Sequence, residues 1–100
     1  MNRGVDMKSV FDGLSEFVSR RGRMKVLEAL LEEFDTPVEV AKRLEISRNA
    51  VYGWINEEKR HPSNSNLEKM LKILNRENEE KFRDFLVEEL QIFQKLILKS

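Results

Sequence analysis

Cysteine is absent from the 100 residues, which excludes disulfide frameworks, thiolate zinc sites and cysteine nucleophiles. A single histidine, His61, leaves little from which to build a metal site, and no metal or other cofactor is expected. No stretch is apolar for long enough to make a membrane-spanning helix. Residues 1–10 carry Arg3, Asp6 and Lys8 with no apolar run of signal-peptide length, so a soluble cytoplasmic protein is expected. A glycine-rich phosphate loop is also missing, which removes sequence support for nucleotide binding. Net charge is missing as well. Lysine plus arginine total 18 and aspartate plus glutamate total 18, so the whole-chain balance names neither nucleic acid nor acidic membrane as a partner.

A chain of this length makes one domain of modest core, or one domain with an extra helix or two, and is short for a multi-domain enzyme. Apolar residues at 40% and charged residues at 36% suit a small core under a heavily solvated surface and argue against disorder. The neutrality is a cancellation of patches. Net charge is +3 over residues 1–25, −4 over 26–35, +2 over 36–75 and −1 over 76–100.

Periodicity predicts helices throughout. Met7, Val10, Phe11, Leu14, Phe17 and Val18 share one arc of a helical wheel, which predicts an amphipathic helix from about Met7 to Ser19. The cluster Arg20-Arg21-Gly22-Arg23 is expected to interrupt it, with a second helix from roughly Arg23 to Phe34. Thr36-Pro37-Val38-Glu39 then supplies an N-cap hydroxyl, a proline at the first helical position and a glutamate at the third. That helix must be short, because Ser47 offers a new cap before Arg48 to Ile55. After a polar loop containing Pro62, Ser65-Asn66-Leu67-Glu68 repeats the capping pattern and opens a helix to about Asn75. A long amphipathic run from Arg76 to Lys99 follows. No alternating apolar and polar run indicates a strand.

The informative pair is the two short helices. Val40, Leu44, Ile46, Val51 and Trp54 would bury their facing sides, with Ala41 giving room where they touch. The second helix is left with Ser47, Arg48, Asn49, Tyr52, Gly53 and Asn56 outward, hydrogen-bonding or compact residues without a carboxylate.

On these residues, followed by Lys59-Arg60, Pro62-Ser63 and the helix from Asn66 to Leu74, Thr36 to Asn75 resembles the helix-turn-helix of the Cro and lambda-repressor-like family. Arg23 to Phe34 fits that family's first helix. Glu45 departs from the pattern, where the family usually places glycine in the turn. Either Glu45 takes a left-handed backbone at roughly 1 kcal/mol or the turn is shaped differently.

The resemblance implies that the second helix lies in the major groove of double-stranded DNA. Arg48 would then offer a bidentate contact to guanine and Asn49 to adenine, with Tyr52 and Asn56 in reach of base edges or phosphate. Gly53 would let the backbone approach closely. Ser47 and Thr36, at helix N-termini, would help a backbone N–H hold a phosphate oxygen. Lys59 and Arg60, together with Lys42 and Arg43, would supply the non-specific electrostatic term. Plainer readings stand beside these: Arg48 as a phosphate contact or a solvated residue, Lys59 and Arg60 as a solvated turn, and Arg20 to Lys25 as either a backbone-contacting arm or a solvated linker.

The expected fold is all-α, a compact helix-turn-helix bundle of four to five helices flanked by an amino-terminal helix and a long carboxy-terminal amphipathic helix. Its expected divisions are an amino-terminal helix and basic linker over 1–22, the DNA-binding domain over 23–75 and a dimerisation helix over 76–100. About 24 helical residues span roughly 36 Å, longer than a small domain can cover. Phe82, Phe85, Leu86, Leu90, Phe93, Leu96 and Ile97 on its broad face are therefore expected to meet a second copy of the chain. Glu89 lies inside that arc, which suits the rim of an interface or a specificity device better than a dry core.

Carboxylates sit on outward faces with no nucleophile and base to organise them, so no enzymatic activity is expected. No small-molecule ligand and no membrane partner is indicated. The leading expectation is a sequence-specific regulator of transcription that binds a palindromic site as a homodimer. The alternatives are an antitoxin-like or adaptor protein using the terminal helix, or a DNA-binding accessory factor in recombination, replication or partition.

Overall fold

The computed structural model describes residues 18–57 and 60–98, and among these the secondary structure is entirely helical. Five helices follow one another: α1 (Arg20–Phe34), α2 (Pro37–Leu44), α3 (Arg48–Asn56), α4 (Asn64–Glu77) and α5 (Glu79–Leu98). This is the all-α bundle that the periodicity implies. The helix expected over Met7 to Ser19 lies outside the described residues except for its last two positions. Val18 is buried and Ser19 caps α1.

Local chemistry sets most helix starts. The Thr36 hydroxyl accepts from the Glu39 N–H at 3.1 Å, with Pro37 at the first helical position. Ser47 accepts from the Ala50 N–H at 3.2 Å. Between them Glu45 adopts φ 58 and ψ 43, the left-handed conformation. Its N–H donates to the Lys42 carbonyl at 3.1 Å, and the Ile46 N–H donates to Ala41 at 3.1 Å. The turn keeps its shape and places a glutamate where only glycine is free of Cβ strain. Glu45→Gly is expected to raise stability by about 1 kcal/mol, read as a higher urea midpoint at unchanged slope.

Three boundaries differ from the sequence expectation. First, no break separates Arg20 from Arg23. The Ser19 hydroxyl accepts from the Gly22 N–H at 2.9 Å and starts α1 there, so Gly22 is helical. Its missing side chain has another use, because a Cβ at Gly22 would collide with the Glu89 carboxylate. Second, the cap of α4 is Ser63, which accepts from the Asn66 N–H at 3.2 Å, and Ser65 lies exposed inside the helix. Pro62 is fully buried and its carbonyl is held by Arg23, so the chain has to turn into α4 immediately afterwards. Third, α4 runs to Glu77 and α5 starts at Glu79. Asn78 joins them, accepting from the Lys81 N–H at 3.1 Å while its amide donates to Glu33 at 3.2 Å.

Val26, Leu27, Leu30, Val40, Leu44, Val51, Leu67, Met70, Leu71 and Leu74 form the water-free centre, each under 2% exposed or, for the valines, fully buried. Helix α1 packs on α4, α2 on α3, and α4 on α5. Trp54 closes the inner face of α3. Phe82 and Phe85, expected on a dimerisation face, are buried in this chain's own core, and Leu86 packs against it. The first half of α5 is thus part of the domain, a consequence of α4 and α5 folding back on each other at Asn78.

Ion pairs dress this frame. Lys25 pairs with Glu88, and Lys81 pairs with Glu32 at 2.6 Å. The Glu32 hydrogen bond, helped by the charges of Glu32 and Glu33, holds Lys81 above the ordinary lysine range. Its small stabilisation is present below the unfolded-state lysine value and is lost as pH rises through the folded one.

Candidate nucleic-acid interface

Helix α3 is held by its inner face and bare on its outer one. Val51 and Trp54 anchor it, while Arg48, Asn49, Tyr52, Ile55 and Asn56 are exposed. Arg48 and Asn49 occupy the first turn after the Ser47 cap, where a helix points unsatisfied N–H groups outward and favours anions. Tyr52 is 39% exposed on the same outer face. Thr36 is exposed at the start of α2. No carboxylate belongs to α3 itself.

The expected cations divide. Arg60 is half exposed in the loop after α3 and pairs with Glu57 at 3.8 Å. Lys42 is exposed on α2. Arg43 is committed elsewhere, bonding Glu39 at 3.1 Å with its guanidinium 4.6 Å from the Phe34 ring centroid. Lys59 lies outside the described residues. Of the basic cluster before α1's middle, Arg20 and Arg21 are exposed, Lys25 pairs with Glu88, and Arg23 is 9% exposed. Arg23 is a strut. Its Nη1 donates to the Pro62 carbonyl at 2.9 Å and its Nη2 to Asn64 Oδ1 at 2.6 Å, tying the α3–α4 loop to α1. Burial pulls its pKa below the usual arginine value, and the guanidinium remains charged.

Gly53 is placed differently from the expectation. It is buried rather than open to a DNA backbone, because the Arg60 side chain fills the space beside its Cα. Glu89 is also inward, 7% exposed rather than on an interface rim. Its Oε1 accepts from the Ser19 N–H at 3.3 Å and from the Ser19 hydroxyl at 3.4 Å, at the N-terminus of α1 where a carboxylate is favoured. Neither the Arg23 strut nor the Glu89 contact is legible in the sequence, since each is fixed by partners far along the chain.

Among the described residues no group of histidine, aspartate and glutamate is arranged to hold a metal ion, and no helix is long and apolar enough to cross a membrane. The chain matches the family described as helix-turn-helix over residues 27–80, which takes in the last two turns of α1, all of α2 to α4 and the start of α5. Comparison with curated proteins and with solved structures returned no match.

Proposed function

Because the chain belongs to the helix-turn-helix family of the Cro and lambda-repressor type, whose members bind DNA, we propose that it is a transcriptional regulator reading a specific duplex sequence through α3. The observation that carries this reading is the split character of that helix. Val51 and Trp54 are locked inward, and a carboxylate-free row of Arg48, Asn49, Tyr52 and Asn56 is outward. Arginine and asparagine are the side chains whose donor and acceptor spacing fits guanine and adenine edges in the major groove.

A homodimer on a palindromic site completes the proposal. Val87, Leu90 and Ile97 are 54%, 58% and 55% exposed and recur at helical spacing from the middle of α5 towards its end. Joined through that face, two copies would set their recognition helices one DNA turn apart, roughly 34 to 36 Å. With zero net charge and several basic residues engaged within the chain, affinity for random DNA should be low. Specific binding should depend on two half-sites acting together.

Selection from random duplexes at moderate salt tests the reading. Enrichment of an inverted repeat is expected, and a pool that stays random would refute sequence-specific binding. On the selected site, Arg48→Ala is expected to lose about 1 to 3 kcal/mol of discrimination at one base pair. Uniform weakening across all sequences would reassign Arg48 to phosphate.

A further inference from the structure

Gly53 is buried at the edge of the outward row of α3, one turn after Asn49 and one turn before Asn56. A side chain at 53 would stand between those asparagines, and the chain has none there. The place is nevertheless filled. A Cβ built on Gly53 would lie 2.5 Å from Arg60 Nη1 and 2.7 Å from Cζ, closer than such contacts allow, and 3.1 Å from Nε. The guanidinium therefore lies against the bare backbone of α3.

We propose that Arg60, seated on Gly53, serves as the missing recognition side chain of α3, and that Gly53 is a positioning residue acting through it. The proposal rests on α3 being the recognition helix. Several observations converge on it. The Arg60 side chain stays half exposed, so its donors remain available. Its partner Glu57 is a 3.8 Å surface pair, the kind that gives way readily to a better acceptor. The loop that carries Arg60 is moored to α1 by Arg23 through Pro62 and Asn64, which fixes the reach of the arm. The group presented is a planar fork of N–H donors suited to a paired acceptor, either guanine O6 and N7 or two phosphate oxygens.

A double-mutant cycle on the selected duplex tests this, with melting temperatures measured for each protein. Gly53→Ala should melt no lower than wild type, since alanine favours a helix interior and only the end of a flexible side chain must move. Arg60→Ala and Gly53→Ala should each weaken binding about tenfold, and the double variant should be no weaker than either. If the losses multiply, or if Gly53→Ala binds as wild type does, the proposal is overturned. Should wild type select no duplex at all, the recognition reading falls and this one with it. A duplex series separates the acceptors. With Arg60→Ala, loss of preference at one base pair identifies guanine, whereas uniform weakening with a shallower salt dependence identifies phosphate.

Discussion

Changing Leu90 and Ile97 together to glutamate is expected to leave a folded monomer whose affinity for the palindromic duplex is lower by about 10²- to 10⁴-fold. Both side chains are more than half exposed and contribute little to the chain's own core, so the melting temperature should barely change. Four carboxylates facing one another across a two-fold axis would oppose association. Affinity for a single half-site should be untouched, because α3 lies elsewhere and keeps its support from Val51 and Trp54. Sedimentation and titration against one- and two-half-site duplexes read all of this directly. Wild-type protein that sediments as a monomer and binds both duplexes alike would overturn the dimer, leaving the α5 face to a different protein.

Arg23→Ala should be the most damaging polar substitution for stability, costing about 3 kcal/mol. It withdraws two charge-assisted donors from the Pro62 carbonyl and the Asn64 side chain. The carbonyl belongs to a fully buried proline, so water cannot simply replace the guanidinium without opening the loop. Lysine is a poor substitute, since one ammonium cannot reproduce a fork that reaches two acceptors. Urea unfolding of wild type, Arg23→Ala and Arg23→Lys measures the loss. A decrease below about 1 kcal/mol for alanine would show that the strut is dispensable.

The contrast between what could be read in the sequence and what could not has a physical basis in range. Thr36 and Ser47 were legible as caps because each bonds an N–H three residues ahead, a relation written in adjacent letters. Glu45 is legible as a departure within the turn for the same reason, while the choice between a left-handed backbone and a reshaped turn is made only in the structure. Ser65 fits the local capping pattern as well as Ser63 does, and Arg23, about forty positions earlier, holds the loop where Ser63 becomes the cap. Gly22 read as a break because the carboxylate that requires its bareness belongs to Glu89 on another helix. Charge arithmetic failed similarly: it counted Arg23, Lys25 and Arg43 as basic surface, and the fold gives them partners within the chain. Arg48, Asn49, Tyr52 and Asn56 are legible as outward because amphipathic periodicity separates them from Val51 and Trp54 without any knowledge of distant partners, whereas Gly53, expected outward with them, is buried. The occupation of Gly53 by Arg60 was not, since it joins a helix to a loop.

Helix α5 belongs to the domain in its first half and, in the proposed dimer, to the joint between copies in its second. Up to Glu89 it is bolted to the domain by Phe82, Phe85 and the Ser19 contact, and from Leu90 to Leu98 it extends about 13 Å further at helical rise. In the proposed dimer no hinge separates the part that joins the copies from the part that carries α3. The helix then works as a ruler. The separation and phase of the two half-sites would be written into such a dimer as a length of uninterrupted helix. For such a dimer an operator with one base pair inserted at its centre would have to be twisted to fit, since α5 runs unbroken from the domain to the joining face.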